Sequence, residues 1–142
     1  MFSGLVRRKS VGIYHLHMGG PDGDAAACES LLAPRFEVRL REMGARFARH
    51  AGEADVMLLT GLLLGRNLDD VLREIAMLPQ PSCIVAVGDC AIDGGLWAKL
   101  EMPGLAAYSI SHYVEVQFRV VGSPPTPQEI ITAISECAFG SV

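Results

Sequence analysis

Cys83-Ile84-Val85-Ala86-Val87-Gly88-Asp89-Cys90 (CIVAVGDC, residues 83–90) is the stretch that decides the fold. Five apolar residues run without a polar break into a glycine. A strand that is apolar on both faces needs cover on both, which is the habit of parallel sheets between layers of helices. Asp55–Thr60 (DVMLLT), closed by Gly61, repeats the pattern. So does Val11–Met18 (VGIYHLHM), followed by the turn signal Gly19-Gly20-Pro21.

Helix signals lie between and beyond these runs. Asp24 is placed to cap a helix from Ala25 to Leu32 that Pro34 ends. Asn67 caps a second, with Asp70 in its first turn. There Leu68, Val71, Leu72 and Ile75 form one apolar stripe, and Pro79 and Pro81 stop the helix. Thr126-Pro127-Gln128-Glu129 is a complete helix start, with cap, N1 proline and capping-box glutamate. Ile130, Ile134 and Cys137 share its inner face, and Gly140 ends it. Phe36–Leu40 reads as a short second strand and Val114–Val121 as a fifth. Strands alternating with helices imply right-handed crossovers. The expected architecture is a three-layer, flavodoxin-like α/β domain with a mostly parallel sheet of four or five strands.

The chain's 142 residues and one tryptophan fit a single domain over residues 11–142, with Met1–Ser10 as an N-terminal arm. Half the residues are hydrophobic and 20% are charged, so a sizeable core can be buried. The mean hydropathy of +0.30 is high for a small free-standing protein and leaves apolar surface for partner subunits. A net charge of −4 gives no reason to expect nucleic acid. No apolar run reaches the roughly 18–20 residues of a membrane span. Arg7, Arg8 and Lys9 follow a short apolar patch, the reverse of a secretory signal's order. The arm reads as a solvated tail, or as a basic contact with a membrane face or partner.

Cys28, Cys83, Cys90 and Cys137 are widely spread, with no CxxC, and free thiols are the expectation. Cys83 and Cys137 read as small core residues. Cys90 lies in a Gly-rich loop. In a parallel sheet the functional loops gather beyond the carboxyl ends of the strands. Three loops belong there: Gly19–Asp24, Gly88–Gly95 and Gly122–Pro125.

The three loops carry a resemblance. HLHMGGPDGD (residues 15–24) resembles the GGCNGC loop of the small electron-transfer subunits of energy-converting [NiFe] hydrogenases, which are similar to the cluster-N2 subunit of respiratory complex I. AVGDCAIDGG (residues 86–95) resembles that family's second loop. VGSPPTPQEII (residues 121–131) resembles its third, usually PGCPP before a helix. ADVMLLTG (residues 54–61) also fits, and the likeness covers roughly residues 10–138. The resemblance implies a [4Fe–4S] cluster held by loop cysteines and electron exchange with a large subunit carrying a metal or quinone site.

Carried over position by position, the ligand set is degenerate. The four cysteine positions fall on Pro21, Asp24, Cys90 and Ser123, and a family carboxylate falls on Ala27. A cubane cluster takes four thiolates as a rule. The expected cofactor is therefore none. The glycines Gly19, Gly20, Gly23, Gly88, Gly94, Gly95 and Gly122, with Pro124 and Pro125, keep the loop shapes. The reading is a non-catalytic structural subunit of a complex I-like, ion-translocating assembly. It would sit peripherally on the cytoplasmic side, with a hydrogenase-like large subunit and membrane subunits as partners. One alternative keeps a [4Fe–4S] cluster on Asp24, Cys28, Cys90 and Ser123. Another is a free-standing small-molecule binder or thiol enzyme.

Other residues have plainer readings. His15 and His17 point to one face of a strand and, with Cys90, would make three ligands of a zinc-like site. Hydrogen bonds at a strand end are the simpler expectation. His50 and His112 fall in loops without partners. Asp22 and Asp24 repel phosphate from the first loop. Asp89 and Asp93 should raise the pKa of Cys90, against a reactive thiolate even with His15 or His17 as base. Arginines 35, 39, 41, 46 and 49 read as a solvated face or a subunit contact.

Overall fold

The computed structural model describes residues 10–20, 23–95, 107–122 and 124–140. Pro21, Asp22, Ser123 and the arm apart from Ser10 lie outside the described residues.

Among the described residues the sheet has five strands: β1 (Val11–His17), β2 (Ala45–Phe47), β3 (Val56–Thr60), β5 (Cys83–Val87) and β7 (Phe118–Val120). Their spatial order is β2-β1-β3-β5-β7, and every pairing is parallel. β4 (Leu63–Leu64) and β6 (Ala107–Tyr108) form a separate antiparallel pair. Leaving those two aside, the order is 2-1-3-4-5, the doubly wound arrangement of flavodoxin. All of β3 and β5 is buried, as their unbroken apolar runs require.

Helices cover both faces. On one face Cys28 of α1 (Gly23–Glu29), Leu40 of α2 (Pro34–Met43) and Ile130, Ile131 and Ile134 of α5 (Pro127–Phe139) pack on Val11, Ile13, Val56, Leu58 and Val85. On the other, Val71 and Ile75 of α3 (Leu68–Ile75) and Ala91 of α4 (Asp89–Asp93) pack on Met57, Leu59, Ile84 and Ala86. α5 starts as its sequence dictates: Thr126 Oγ1 accepts from Glu129 N at 3.2 Å, and Glu129 Oε1 accepts from Thr126 N at 2.9 Å.

Several expectations need correction. Phe36–Leu40 is helix, not strand. Its alternation of apolar and charged residues mimics a period of two, but Phe36, Leu40 and Met43 also lie at helical spacing and face the core. Val38, the alternation's middle member, is 50% exposed. Pro34 is the first residue of α2 rather than the end of the helix before it, and Gly44 closes α2 with φ +90°. The second strand is Ala45–Phe47. The fifth pairs only over Phe118–Val120. Just before it, Gln117 N donates to Ile84 O at 3.0 Å and Gln117 Oε1 accepts from Ile84 N at 2.7 Å. A side-chain amide thus replaces one rung of the ladder. Cys83 and Cys137 are core residues, but as a disulfide with Cα atoms 6.1 Å apart, not as free thiols. Cys28 and Cys90 are free.

Candidate functional site

The strand order reverses between β1 and β3, and the loops that leave them meet there. Leu62 N donates to Gly19 O at 2.9 Å and Met18 N to Thr60 O at 2.8 Å. Asn67 fixes the junction: its Nδ2 donates to Met18 O at 2.8 Å and Leu62 O at 3.2 Å, and its Oδ1 accepts from Leu64 N at 2.8 Å. The side chain of Asn67 therefore ties two loops together instead of capping α3.

The second and third loops join the first. Asp89 N donates to Gly122 O at 2.9 Å, and Asp89 Oδ1 accepts from Gly122 N at 3.0 Å. Asp24, buried in the first turn of α1, lays its carboxylate against the Cα of Gly88. A Cβ on Gly88 would approach Asp24 Oδ1 to 2.6 Å and the other carboxyl atoms more closely still. Gly88 has φ +87° and ψ 156°, a region open in practice to glycine alone. The three loops therefore converge at the carboxyl edge of the sheet, as the fold logic requires.

Two of the four inherited cluster positions, Asp24 and Cys90, come together here; Pro21 and Ser123 lie outside the described residues. Burial raises the pKa of Asp24, and the Asp89 carboxylate adds to the rise while His17 opposes it. Burial likewise pushes the Cys90 thiol up, helped by Asp24, Asp89 and Asp93. Cys28, 1% exposed among core side chains, has its thiol pushed up to about 12 by burial, with smaller contributions from Asp24 and Glu29.

His15 and His17 do not turn to Cys90. Both rings bond the hydroxyl of Thr60: His15 Nε2 at 2.7 Å and His17 Nδ1 at 2.9 Å from Oγ1. No trio of His, Cys, Asp or Glu side chains among the described residues has metal-binding geometry, so the zinc-like set is not brought together. His50 pairs with Glu53 at 3.7 Å, contrary to its reading as partnerless, and His112 is exposed in a short 3₁₀ turn. The arginines at 35, 39, 41, 46 and 49 are all exposed. Arg41 pairs with Glu37 at 2.8 Å, and Arg39 bonds Gln128. A shallow cleft of about 390 Å³ lies among Arg35, Phe36, Arg39 and residues 126–128, away from Asp24 and Cys90.

The family model for the NADH ubiquinone oxidoreductase 20 Kd subunit matches residues 22–137. The chain belongs to this family. An uncharacterized protein of Methanocaldococcus jannaschii is 29% identical over 97% of this chain and 89% of its own length. The probable membrane-bound hydrogenase subunit mbhJ of Pyrococcus furiosus is 25% identical over 89% of this chain and 72% of its own. A subunit of the Rubrobacter xylanophilus NADH-quinone oxidoreductase is 32% identical, over 62% of this chain and 34% of the relative. Among solved structures, a chain of an NAD⁺-reducing [NiFe]-hydrogenase superposes with TM-score 0.71 at 23% identity, covering 93% of both chains. A chain of an archaeal membrane-bound sulfane sulfur reductase gives 0.70 at 19% identity, over 96% of this chain and 75% of that one. These superpositions establish the fold: a parallel α/β sheet shared with chains of that hydrogenase and of that reductase. No described helix is long and apolar enough to cross a membrane.

Proposed function

We propose that this chain is a non-catalytic structural subunit of a membrane-associated, ion-translocating complex of the complex I and energy-converting hydrogenase type, and that it holds no [4Fe–4S] cluster. The supporting observation is the donor set where the loops converge. Four thiolates hold such a cluster in most proteins. Here Cys90 is the one cysteine at the four positions, and burial and three carboxylates raise the pKa of its thiol, which disfavours the thiolate. Cys28 does not make up the deficit. It is buried in the core with a pKa near 12, where forming a thiolate is costlier still. The residues do not fit the cluster, and without it this chain offers no electron path.

The retained loop geometry supports the structural part of the reading. Asp89 and Gly122 exchange two hydrogen bonds and Asn67 makes three, which tie the loops to one another. Loops cross-linked in this way offer a shaped docking face. The partners would be a hydrogenase-like large subunit and membrane subunits, with this chain peripheral on the cytoplasmic side.

The test is a Cys90→Ala variant expressed in the native assembly, purified anaerobically. Iron, acid-labile sulfide and EPR spectra are compared with wild type. The expected result is an intact complex with unchanged iron, sulfide and spectra. Loss of one cluster's worth of iron and sulfide, with disappearance of one cubane signal, would refute the proposal.

A further inference from the structure

From the contacts of one hydroxyl group we infer that His15, Thr60 and His17 form a proton relay, in which two imidazoles share a single transferable proton through Thr60 Oγ1. This goes beyond the structural role proposed above and does not depend on it.

Thr60 is completely buried at the end of β3, and its Oγ1 lies 2.7 Å from His15 Nε2 and 2.9 Å from His17 Nδ1. Its backbone carbonyl is already taken by Met18 N. A threonine hydroxyl has one hydrogen to give and two lone pairs to receive. Two neutral imidazoles satisfy it only if one donates to the oxygen and the other accepts from it. The nitrogens facing Thr60 tie the direction to the tautomer. Free neutral histidine favours the hydrogen on Nε2. With that tautomer in both rings, His15 Nε2–H donates to Thr60 Oγ1, and Thr60 O–H donates to His17 Nδ1. The reverse direction needs the less favoured Nδ1–H form in both rings.

The proton balance follows from this arrangement. His15 takes a proton on Nδ1 and becomes imidazolium. Its Nε2 proton passes to Thr60 Oγ1 as the hydroxyl proton passes to His17 Nδ1. His15 ends neutral and His17 ends as imidazolium. One charge has crossed, with no bond to carbon, no electron and no co-reactant involved. A second proton is resisted. With both rings charged, both N–H groups point at Oγ1, and the buried hydroxyl hydrogen has no acceptor among the described residues.

The surroundings disfavour a charge held on His15. On the α1 side His15 faces Glu29, and His17 lies near enough to Asp24 to oppose the rise in that carboxyl's pKa. Burial lowers the pKa of His15, Glu29 opposes this, and the charge on His17 adds to the lowering. Asp89, from α4, is close enough to Asp24 to add to the rise in its pKa. The path therefore runs from the Glu29 end of α1 to the junction of the three loops.

The experiment uses the full-length chain, uniformly ¹⁵N-labelled. Long-range ¹H–¹⁵N spectra read the ring tautomers, and a pH titration is run on wild type, Thr60→Val and Thr60→Ser. Above both titrations, the wild-type Nδ1 atoms of His15 and His17 are expected to be unprotonated and both Nε2 atoms protonated. The two protonation steps should lie about tenfold further apart in proton concentration than in Thr60→Val, because the valine leaves no hydroxyl to strand. Thr60→Ser should restore the wild-type spacing. An Nδ1–H tautomer in either wild-type ring overturns the inference. So does equal spacing in wild type and Thr60→Val, or a serine variant that behaves like the valine one. The tautomer measurement needs no variant, and iron and partner subunits play no part in it.

Discussion

Replacing Gly88 by alanine tests whether the loops converge as described. Two costs add. The backbone of Gly88, at φ +87° and ψ 156°, lies where a side chain is strained by about 1–3 kcal/mol. The new methyl also meets the Asp24 carboxylate, with 2.6 Å to Oδ1 where ordinary contact begins at 3.4 Å. Overpacking of that kind costs about 1–3 kcal/mol more. The sum is a loss of about 2–6 kcal/mol, a large share of a small domain's stability. Urea unfolding followed by circular dichroism reads it. A double-mutant cycle with Asp24→Ala separates the parts: removing the carboxylate relieves the clash but leaves the backbone strain. The cycle should therefore show a coupling energy of at least about 1 kcal/mol, with the second mutation rescuing the first. Additivity within about 0.5 kcal/mol would refute the contact between the first and second loops.

Two further outcomes follow from the same interactions. The folded-state pKa of Asp24 is raised, so the wild type gains stability as pH falls from neutral through that pKa towards the unfolded value; Asp24→Asn should show a flatter pH–stability profile over that window, measured by thermal unfolding. Thr126→Ala removes the cap of α5 and should cost about 1 kcal/mol in urea unfolding. That variant should also lose some acid sensitivity: Glu129's pKa is lowered by its bonds to Thr126, a stabilisation present above its unfolded pKa and lost as pH falls through the folded one.

The parts of the fold legible in sequence are those where one physical signal dominates. The apolar runs of β3 and β5 admit no reading but buried strands, and Thr126, Pro127 and Glu129 encode a helix start locally. Phe36–Leu40 misleads because five residues satisfy both periods, and only Pro34 and Gly44 at the ends of α2 settle which applies. Gln117 shortens β7 through a side chain, which strand propensity does not register. At the site, the convergence of loops is legible from glycine placement after strands, and the carboxylates around Cys90 from the sequence itself. The role of Thr60 is not, because it depends on a register that sets a β3 residue beside His17 of β1. Asn67 escapes for the same reason: its position suggests a cap, whereas its bonds reach 49 residues back to Met18.

The two outermost strands of the sheet, β2 and β7, are three residues each. A protein half composed of hydrophobic residues risks sticking to copies of itself through open strand borders. Here each border offers only a few backbone groups for pairing, and next to one of them Gln117 already occupies Ile84. Pairing by sheet extension therefore has little backbone to work with at either border, which disfavours polymerisation.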